Sequence, residues 1–321
     1  MFNVRTDLAI EAATLLNKSQ SELCKIDGVE IDKDNRKNLT ITTIRITNKN
    51  GEKEIGKKIG TYITIECPKI KDNDDDTFND ASLAICECLK KLINIKKTDT
   101  VLVVGLGNWN ITPDALGPKV VSNLVVTRHL FENIPEHITQ SLNSLCAISP
   151  GVLGITGIET GEITKGICDR IKPDLIIAID ALASRKIERI STTIQISNTG
   201  ITPGSGIDNK RIGFTKEYFN VPVIAIGVPT VVDAATVAND TIEILCENIK
   251  ANTELKDDIG KLLEITDTDL RYPLIKEVLK PHVGDLIVTP KEVDLIIDNV
   301  SKIIANGING AVHNTMENLK V

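Results

Sequence analysis

Two aspartates stand where parallel strands would end, and they are the residues of this chain best placed to do chemistry. Asp180 directly follows the apolar run 175–179, and Asp114 lies in a glycine- and proline-rich loop after the apolar run 101–104. Carboxyl ends of neighbouring parallel strands meet at one edge of a sheet, so we expect both carboxylates to share a crevice. Two close carboxylates do not both ionise easily, so one keeps its proton. The two aspartates therefore predict an acid and a base that hydrolyse a peptide bond through an activated water.

Each of these features also has a plainer explanation. Asp180 could cap a following helix, because aspartate accepts hydrogen bonds from the first backbone amides of a helix. Asp114 follows Pro113, where a simple turn role is equally easy. Gly105 and Gly107 resemble the start of a dinucleotide-binding fingerprint, but the third glycine is missing and prolines follow. A Rossmann-type nucleotide-binding module stays open as a non-enzymatic alternative.

A second glycine-rich segment, residues 149–161, is expected to wall the same crevice. Its glycines Gly151, Gly154 and Gly157 are predicted to bind the substrate, because exposed backbone amides can hold an extended peptide or an oxyanion. The alternative is a tight connection into the following helix. Residues 202–211 have the composition of a phosphate-binding loop but not its spacing, so no P-loop is predicted.

Metal-ligand patterns are missing from the sequence. The seven cysteines form no CxxC pair, the four histidines form no HExxH motif, and no histidine lies near the ends of the apolar runs. Neither a metal site nor a cofactor is therefore predicted. The cysteines are expected to be reduced and mostly buried, as in a cytosolic protein.

The apolar runs predict the fold that must position these residues. Runs 101–104, 175–179 and 223–226 are apolar at every position, which is typical of parallel strands covered on both faces, and helical patterns lie between them. We predict an α/β fold with an open, mostly parallel central sheet flanked by helices. Residues 28–68 alternate and are rich in β-branched side chains, which predicts an N-terminal antiparallel hairpin region.

Two segments in the last quarter of the chain have distinct patterns. Residues 248–270 are polar and charged, which indicates an insertion or a linker. A C-terminal helix is predicted over 289–306, with Thr289 as N-cap, Pro290 at the first helical position and Glu292 completing a capping box.

Composition excludes several classes of protein. The net charge of −7 counts against general nucleic-acid binding, which favours basic faces. No apolar run near Met1 is long enough for a signal peptide, and no stretch of about 18 apolar residues predicts a membrane span. We expect a cytoplasmic enzyme with no membrane or nucleic-acid partner.

Several long sequence segments indicate one family. They are Val4–Ala9, Gly105–Pro118, Gly151–Thr160, Pro173–Arg185, Thr193–Gly200, Pro203–Arg211, Pro222–Ala234 and Val288–Asp294. They resemble the germination proteases of spore-forming bacteria, which are endopeptidases that degrade small acid-soluble spore proteins. Residues 28–68 and 248–270 resemble that family less.

The resemblance implies an atypical aspartic peptidase whose two essential aspartates fall on Asp114 and Asp180. It implies a fold related to the hydrogenase-maturation peptidases, which use a metal, so a metal-dependent peptidase of that type is the alternative. It also implies a homotetrameric zymogen in the forespore or spore core, with small acid-soluble spore proteins as substrate.

The resemblance further implies self-processing. Substrates of the family are cut after the first acid of a Thr-Glu, apolar, Ala, Ser, Glu run, and residues 6–11 are a version of that run. We predict self-cleavage between Asp7 and Leu8. Residues 1–7 would then be a propeptide, and 8–321 a single α/β peptidase domain.

Overall fold

The structure, a computed structural model, describes residues 8–14, 25–72, 74–133, 142–204, 211–251 and 268–314. The predicted propeptide 1–7, including Asp7, lies outside these ranges. Within them, no helix is both long enough and apolar enough to cross a lipid bilayer.

One open sheet organises the described part of the chain. Its strands are β1 (Val29–Asn35), β2 (Thr40–Ile46), β3 (Gly60–Glu66), β4 (Thr100–Gly105), β5 (Ser144–Ile148), β6 (Leu175–Ser184), β7 (Thr193–Ser197), β8 (Val223–Asp233) and β9 (Ile287–Val288). They lie in the order β1-β2-β3-β7-β8-β6-β4-β5, and β9 pairs with β8. Strands β8, β6, β4 and β5 are parallel to one another, whereas the other pairings are antiparallel. The predicted α/β fold class is confirmed. The antiparallel part of the sheet contains β1, β2, β3 and β7 and is therefore larger than the predicted hairpin region.

Helices flank this sheet. They are α1 (Ala9–Thr14), α2 (Lys49–Ile55), α3 (Asp75–Leu92), α4 (Leu116–Ser122), α5 (Leu130–Asn133), α6 (Leu153–Thr156), α7 (Thr160–Ile171), α8 (Lys216–Phe219), α9 (Ala234–Ala251), α10 (Thr268–Val283) and α11 (Val293–His313). Of the predicted linker 248–270, residues 252–267 lie outside the described ranges. Its flanks 248–251 and 268–270 belong to the helices α9 and α10, and the interpretation of the segment as an insertion or a linker stays a prediction.

Apolar side chains cover the parallel strands on both faces. Ile177 and Ile179 of β6 pack in a core with α3 and α11, whereas Ile176 and Ala178 pack in a second core with α7 and α8. Successive side chains of a strand point to opposite faces. Asp180 therefore belongs to the face that α7 and α8 cover.

The N-terminal region departs from a simple hairpin. Strands β1, β2 and β3 pair antiparallel, and the helix α2 stands between β2 and β3, where residues 48–51 have the composition of a turn. Asn48 caps α2 by accepting a hydrogen bond from the Gly51 amide at 2.9 Å. A composition typical of a turn thus begins a helix here, because asparagine favours both turns and helix N-caps.

The C-terminal helix begins later than predicted and ends later as well. It runs from Val293 to His313, with Glu292 in the N-cap position and no side-chain capping hydrogen bond. Thr289 is not the cap, because its hydroxyl donates to the Thr230 carbonyl of β8 at 3.0 Å. The chain before it is held as β9 on β8, and this pairing delays the start of the helix.

Candidate active site

Asp180 lies inside β6 and not at its end. The strand continues to Ser184 because it stays paired with β8, with Asp180 opposite Gly227 and Leu182 opposite Pro229. The Asp180 side chain is buried, and its Oδ1 accepts a hydrogen bond from the Ala181 amide at 3.0 Å. The helix-cap alternative is wrong, since no helix follows Asp180 directly.

Asp114 is held by a loop that folds back on itself. The residue ends a 3-10 turn, Thr112–Asp114, and its Oδ2 accepts a hydrogen bond from the Asn108 amide at 2.8 Å. Gly107 has a φ of +114°, and a Cβ built there would lie 2.0 Å from the Asp114 carbonyl oxygen. The glycines that resemble a nucleotide fingerprint thus include one that makes room for the aspartate's own backbone.

Contacts fasten the Asp114 loop to the strands that hold Asp180. The Leu106 amide donates to the carbonyl of Ile179, one residue before Asp180, at 2.8 Å. The turn that carries Asp114 packs against both β6 and β8. The structure therefore brings the two predicted aspartates to the same region of the sheet.

The surroundings of Asp114 raise the pKa of its carboxyl group. Burial raises the pKa of this carboxyl group, because desolvation penalises the charged form. The hydrogen bond from Asn108 and the positive charge of Arg211 act in the opposite direction and do not cancel the effect of burial. A raised carboxyl pKa suits a residue that keeps a proton to donate.

A cavity lies over β7 and β8, of which β8 pairs with β6, the strand that carries Asp180. Its volume is about 240 Å³, and its lining includes Gln195, Gly227 and Ala225. Leu182 also lines it, and this side chain fills the space beside Gly227, where a Cβ would lie 2.4 Å from Leu182 Cδ1. A second cavity, of about 450 Å³, lies between the β1–β2 turn and α3 and contains no residue of this site.

The glycine-rich loop lies at the carboxyl end of β5, next to β4. Gly151 and Gly157 adopt left-handed backbone angles, with φ of +79° and +72°, and Gly157 ends α6. The Gly151 carbonyl accepts a hydrogen bond from the Thr160 hydroxyl at 3.0 Å. Two of the three glycines thus shape the loop itself, and substrate binding by Gly151, Gly154 and Gly157 stays a prediction.

A buried ionic contact at the far end of β6 is not indicated by any pattern in the sequence. Glu11 of α1 is only 3% exposed and accepts hydrogen bonds from the Ser184 hydroxyl at 3.1 Å and the Arg185 amide at 3.2 Å. Arg189 Nη1 lies 3.5 Å from the same carboxylate oxygen, Oε1. The partners are more than 170 residues apart in sequence, so no local spacing could have revealed them.

Potential metal ligands are scattered in the described chain. Across the ranges that the structure covers, no three His, Cys, Asp or Glu side chains converge as a metal site would require. The six cysteines in those ranges are free, and four of them are buried.

The fold and the site together define an α/β protein with two carboxylates over its parallel strands, which is an arrangement suited to hydrolysis. Comparison with known sequences narrows this class to peptidases. The sequence model of one family, described as Germination protease, matches residues 9–268 and 246–321. The chain belongs to the germination protease family.

Similar proteins carry the same name. A germination protease of Caldanaerobacter subterraneus is 52% identical over 97% of this chain and 95% of its own length. One from Clostridium acetobutylicum is 51% identical over 99% of this chain and 97% of its own length. One from Bacillus subtilis is 43% identical over 97% of this chain and 93% of its own length. Among solved structures, the hydrogenase maturation protease HycI from Thermococcus kodakarensis is 21% identical with a TM-score of 0.28, covering 44% of this chain and 80% of that one.

Proposed function

We propose that this chain is an endopeptidase that starts the breakdown of small acid-soluble spore proteins during germination, in the cytoplasm of the spore core. Membership of the germination protease family carries the proposal. The packing of the Asp114 turn against the strand of Asp180 supports an aspartate pair as its chemical centre. Family membership does not favour the metal-dependent maturation peptidase.

The contact of the Asp114 turn with the strand of Asp180 supports a division of labour between the two carboxylates, because close carboxylates share a proton. The protonated one would pass its proton to the nitrogen of the departing amine. The ionised one would accept a proton from a water whose oxygen attacks the peptide carbonyl carbon. One proton is taken up and one is given in each cycle, as acid–base hydrolysis requires.

The position of Leu8 supports self-processing between Asp7 and Leu8. Leu8 is fully buried, and the next residue, Ala9, donates its amide hydrogen to Gln195 Oε1 at 2.6 Å. Gln195 pairs with Gly227, which in turn pairs with Asp180. Ala9 thus lies at the level of Asp180, two residues after the proposed scissile bond.

Cleavage of a purified small acid-soluble spore protein, with the fragments identified by mass, tests the activity. Asp114→Asn and Asp180→Asn are each expected to lower the rate at least about a hundredfold, because each removes one proton-transfer group. Asp298→Asn, which changes a surface carboxylate that pairs with Lys302, should leave it unchanged. Near-normal activity of either site variant would refute the aspartate mechanism. Loss of activity on chelation, restored by zinc or nickel, would instead support the metal-dependent alternative.

N-terminal sequencing after mild acidification tests the processing. The expected mature chain begins at Leu8, and Asp180→Asn should retain Met1. A mature chain that begins elsewhere would rule out the bond between Asp7 and Leu8.

A further inference from the structure

Residues 211–214 are fastened against the candidate active site. Phe214 pairs with Ile201 in an antiparallel bridge, in which the Phe214 amide donates to the Ile201 carbonyl at 2.7 Å. The Phe214 ring is fully buried in the core that also contains Leu106 and Ala178. Leu106 begins the loop that follows β4, and Ala178 lies within β6. The segment is therefore held where the two elements that carry the candidate aspartates meet.

Arg211 begins this segment and lies near Asp114. The next residue, Ile212, packs against Gly161 in the first turn of α7, where a Cβ would lie 2.6 Å from Ile212 Cγ2. Arg211 is half-buried, and its guanidinium makes no hydrogen bond or ion pair within the described ranges. Its positive charge nevertheless acts on the Asp114 carboxyl group. The two side chains thus face each other at a distance longer than an ion pair.

The proposed hydrolysis moves negative charge to a new atom. When the oxygen of the water attacks the scissile carbonyl carbon, the π electron pair of the C=O bond moves to the carbonyl oxygen. The ionised aspartate takes the proton of the water, so the negative charge passes from the aspartate pair to that oxyanion. A positive group already in place where the charge develops lowers the barrier. Arginine suits this role, because it stays protonated and presents several N–H donors.

We propose that Arg211 is a further catalytic residue, whose guanidinium donates hydrogen bonds to the oxyanion of the tetrahedral intermediate. The inference rests on the proposed function for the reaction itself. No proton leaves Arg211. The guanidinium holds the oxyanion until the C=O bond re-forms, the C–N bond breaks and the protonated aspartate gives its proton to the departing nitrogen.

Substitution of Arg211 tests this role with a cleavable peptide. Arg211→Ala is expected to lower kcat at least about a hundredfold and to leave KM within about threefold, because an oxyanion donor acts in the transition state and not on the bound substrate. Arg211→Lys keeps a positive charge and should lose less activity. Guanidinium chloride at millimolar concentration should restore part of the activity of Arg211→Ala, whereas sodium chloride should not.

Arg170→Ala is the matched control for these variants. Arg170 is an exposed arginine in the last turn of α7, so its removal should leave kcat unchanged. A normal kcat in Arg211→Ala would overturn the inference. So would equal losses in Arg211→Ala and Arg211→Lys, without rescue by guanidinium and with lowered melting temperatures, since Arg211 would then only support the fold.

Two peptides separate the oxyanion role from recognition of a substrate side chain. They differ only in Glu or Gln at the residue before the cut. Arg211→Ala should slow the cleavage of both peptides by the same factor, because both form the same oxyanion. A rise in KM for the Glu peptide alone would show that Arg211 binds a substrate carboxylate, and would overturn the inference.

Binding of uncleavable peptides separates this inference from the proposed function. One peptide carries a phosphinate, which is tetrahedral and anionic, in place of the scissile amide, and the other carries a neutral ketomethylene group. The wild-type chain should bind the phosphinate at least about a hundredfold more tightly than Arg211→Ala does, whereas both should bind the ketomethylene equally. That result without cleavage by the wild-type chain would preserve the anion site and overturn the peptidase mechanism. Cleavage with equal phosphinate binding by both proteins would overturn the role of Arg211 alone.

Discussion

At the scale of single residues, Asp114 sits where burial and hydrogen bonding oppose each other. Burial prevails and raises its pKa. The folded chain then binds more protons than the unfolded chain, so stability falls as pH rises from the ordinary aspartate pKa, near 3.9, through the folded value. Asp114→Asn carries no charge to desolvate. We expect it to melt on the order of 2 °C higher than wild type at pH 7, with the difference vanishing near pH 3.

Thermal melts at several pH values check this prediction. Asp298→Asn is the control of opposite sign, because a hydrogen bond from Lys302 lowers the pKa of the exposed Asp298 carboxyl group. That variant should gain no stability at pH 7. A lower melting temperature of Asp114→Asn at pH 7 would mean that the charged carboxylate is held more strongly than burial penalises it.

Gly107 is the residue on which the shape of the Asp114 loop depends. Its left-handed φ and the 2.0 Å approach of the Asp114 carbonyl oxygen leave no space for a side chain. Gly107→Ala should therefore cost at least about 2 kcal/mol in the free energy of unfolding, measured by urea denaturation, and should reduce activity with it. Gly166→Ala in α7 meets no atom within 4 Å and should be neutral or stabilise by up to about 1 kcal/mol. Equal effects of both substitutions would contradict the steric argument.

What the sequence could predict at this scale was local. Asp180 stands out because it directly follows an apolar run, and Asp114 because it lies in the glycine- and proline-rich loop after another. Glu11 and Arg189 meet only after the sheet is assembled, and neither lies in a pattern that marks it as buried. The sequence was therefore sufficient to predict the two candidate aspartates but not the ionic contact between Glu11 and Arg189.

At the scale of elements, the apolar strands were predictable and their ends were not. β6 outlasts its apolar run because β8 continues to pair with it through Ser184, and Ala181–Ser184 alone has no strong strand pattern. Thr289 has the composition of a helix cap, but its hydroxyl is used by β8. In both cases a neighbouring strand overrides the local preference.

The contact between α3 and α11 gives a prediction for an element. Gly307 of α11 lets the two helices approach so closely that a Cβ there would lie 2.5 Å from Ile85 Cγ2. Gly307→Val should overpack this contact and cost about 1–3 kcal/mol in the free energy of unfolding by urea denaturation. The exposed neighbour Asn306 provides the control, since Asn306→Ala should change stability by less than about 0.5 kcal/mol. A tolerated valine would mean that the helices can separate without loss.

At the scale of the whole molecule, the two halves of the sheet contribute different parts of the site. The parallel half carries both aspartates, whereas Gln195 and the body of α1 belong to the antiparallel half. The boundary falls between β8 and β7, where Gly227 pairs with Gln195. A peptide lying across this boundary would touch both halves of the sheet.

The outer surface of α9 and α10 leads to the last prediction, which concerns assembly. Leu245 in α9 and Val278 in α10 are 53% and 65% exposed, and the two helices pack against each other. Apolar surface shared by adjacent helices is typical of a subunit interface, so we propose that it joins the subunits of the predicted homotetramer. Val278→Asp should reduce the mass measured by light scattering from four times 35.0 kDa to a smaller species. Val125→Asp, at a residue 51% exposed on a separate loop, is the control and should stay tetrameric. A tetrameric Val278→Asp together with a dissociated Val125→Asp would place the interface elsewhere.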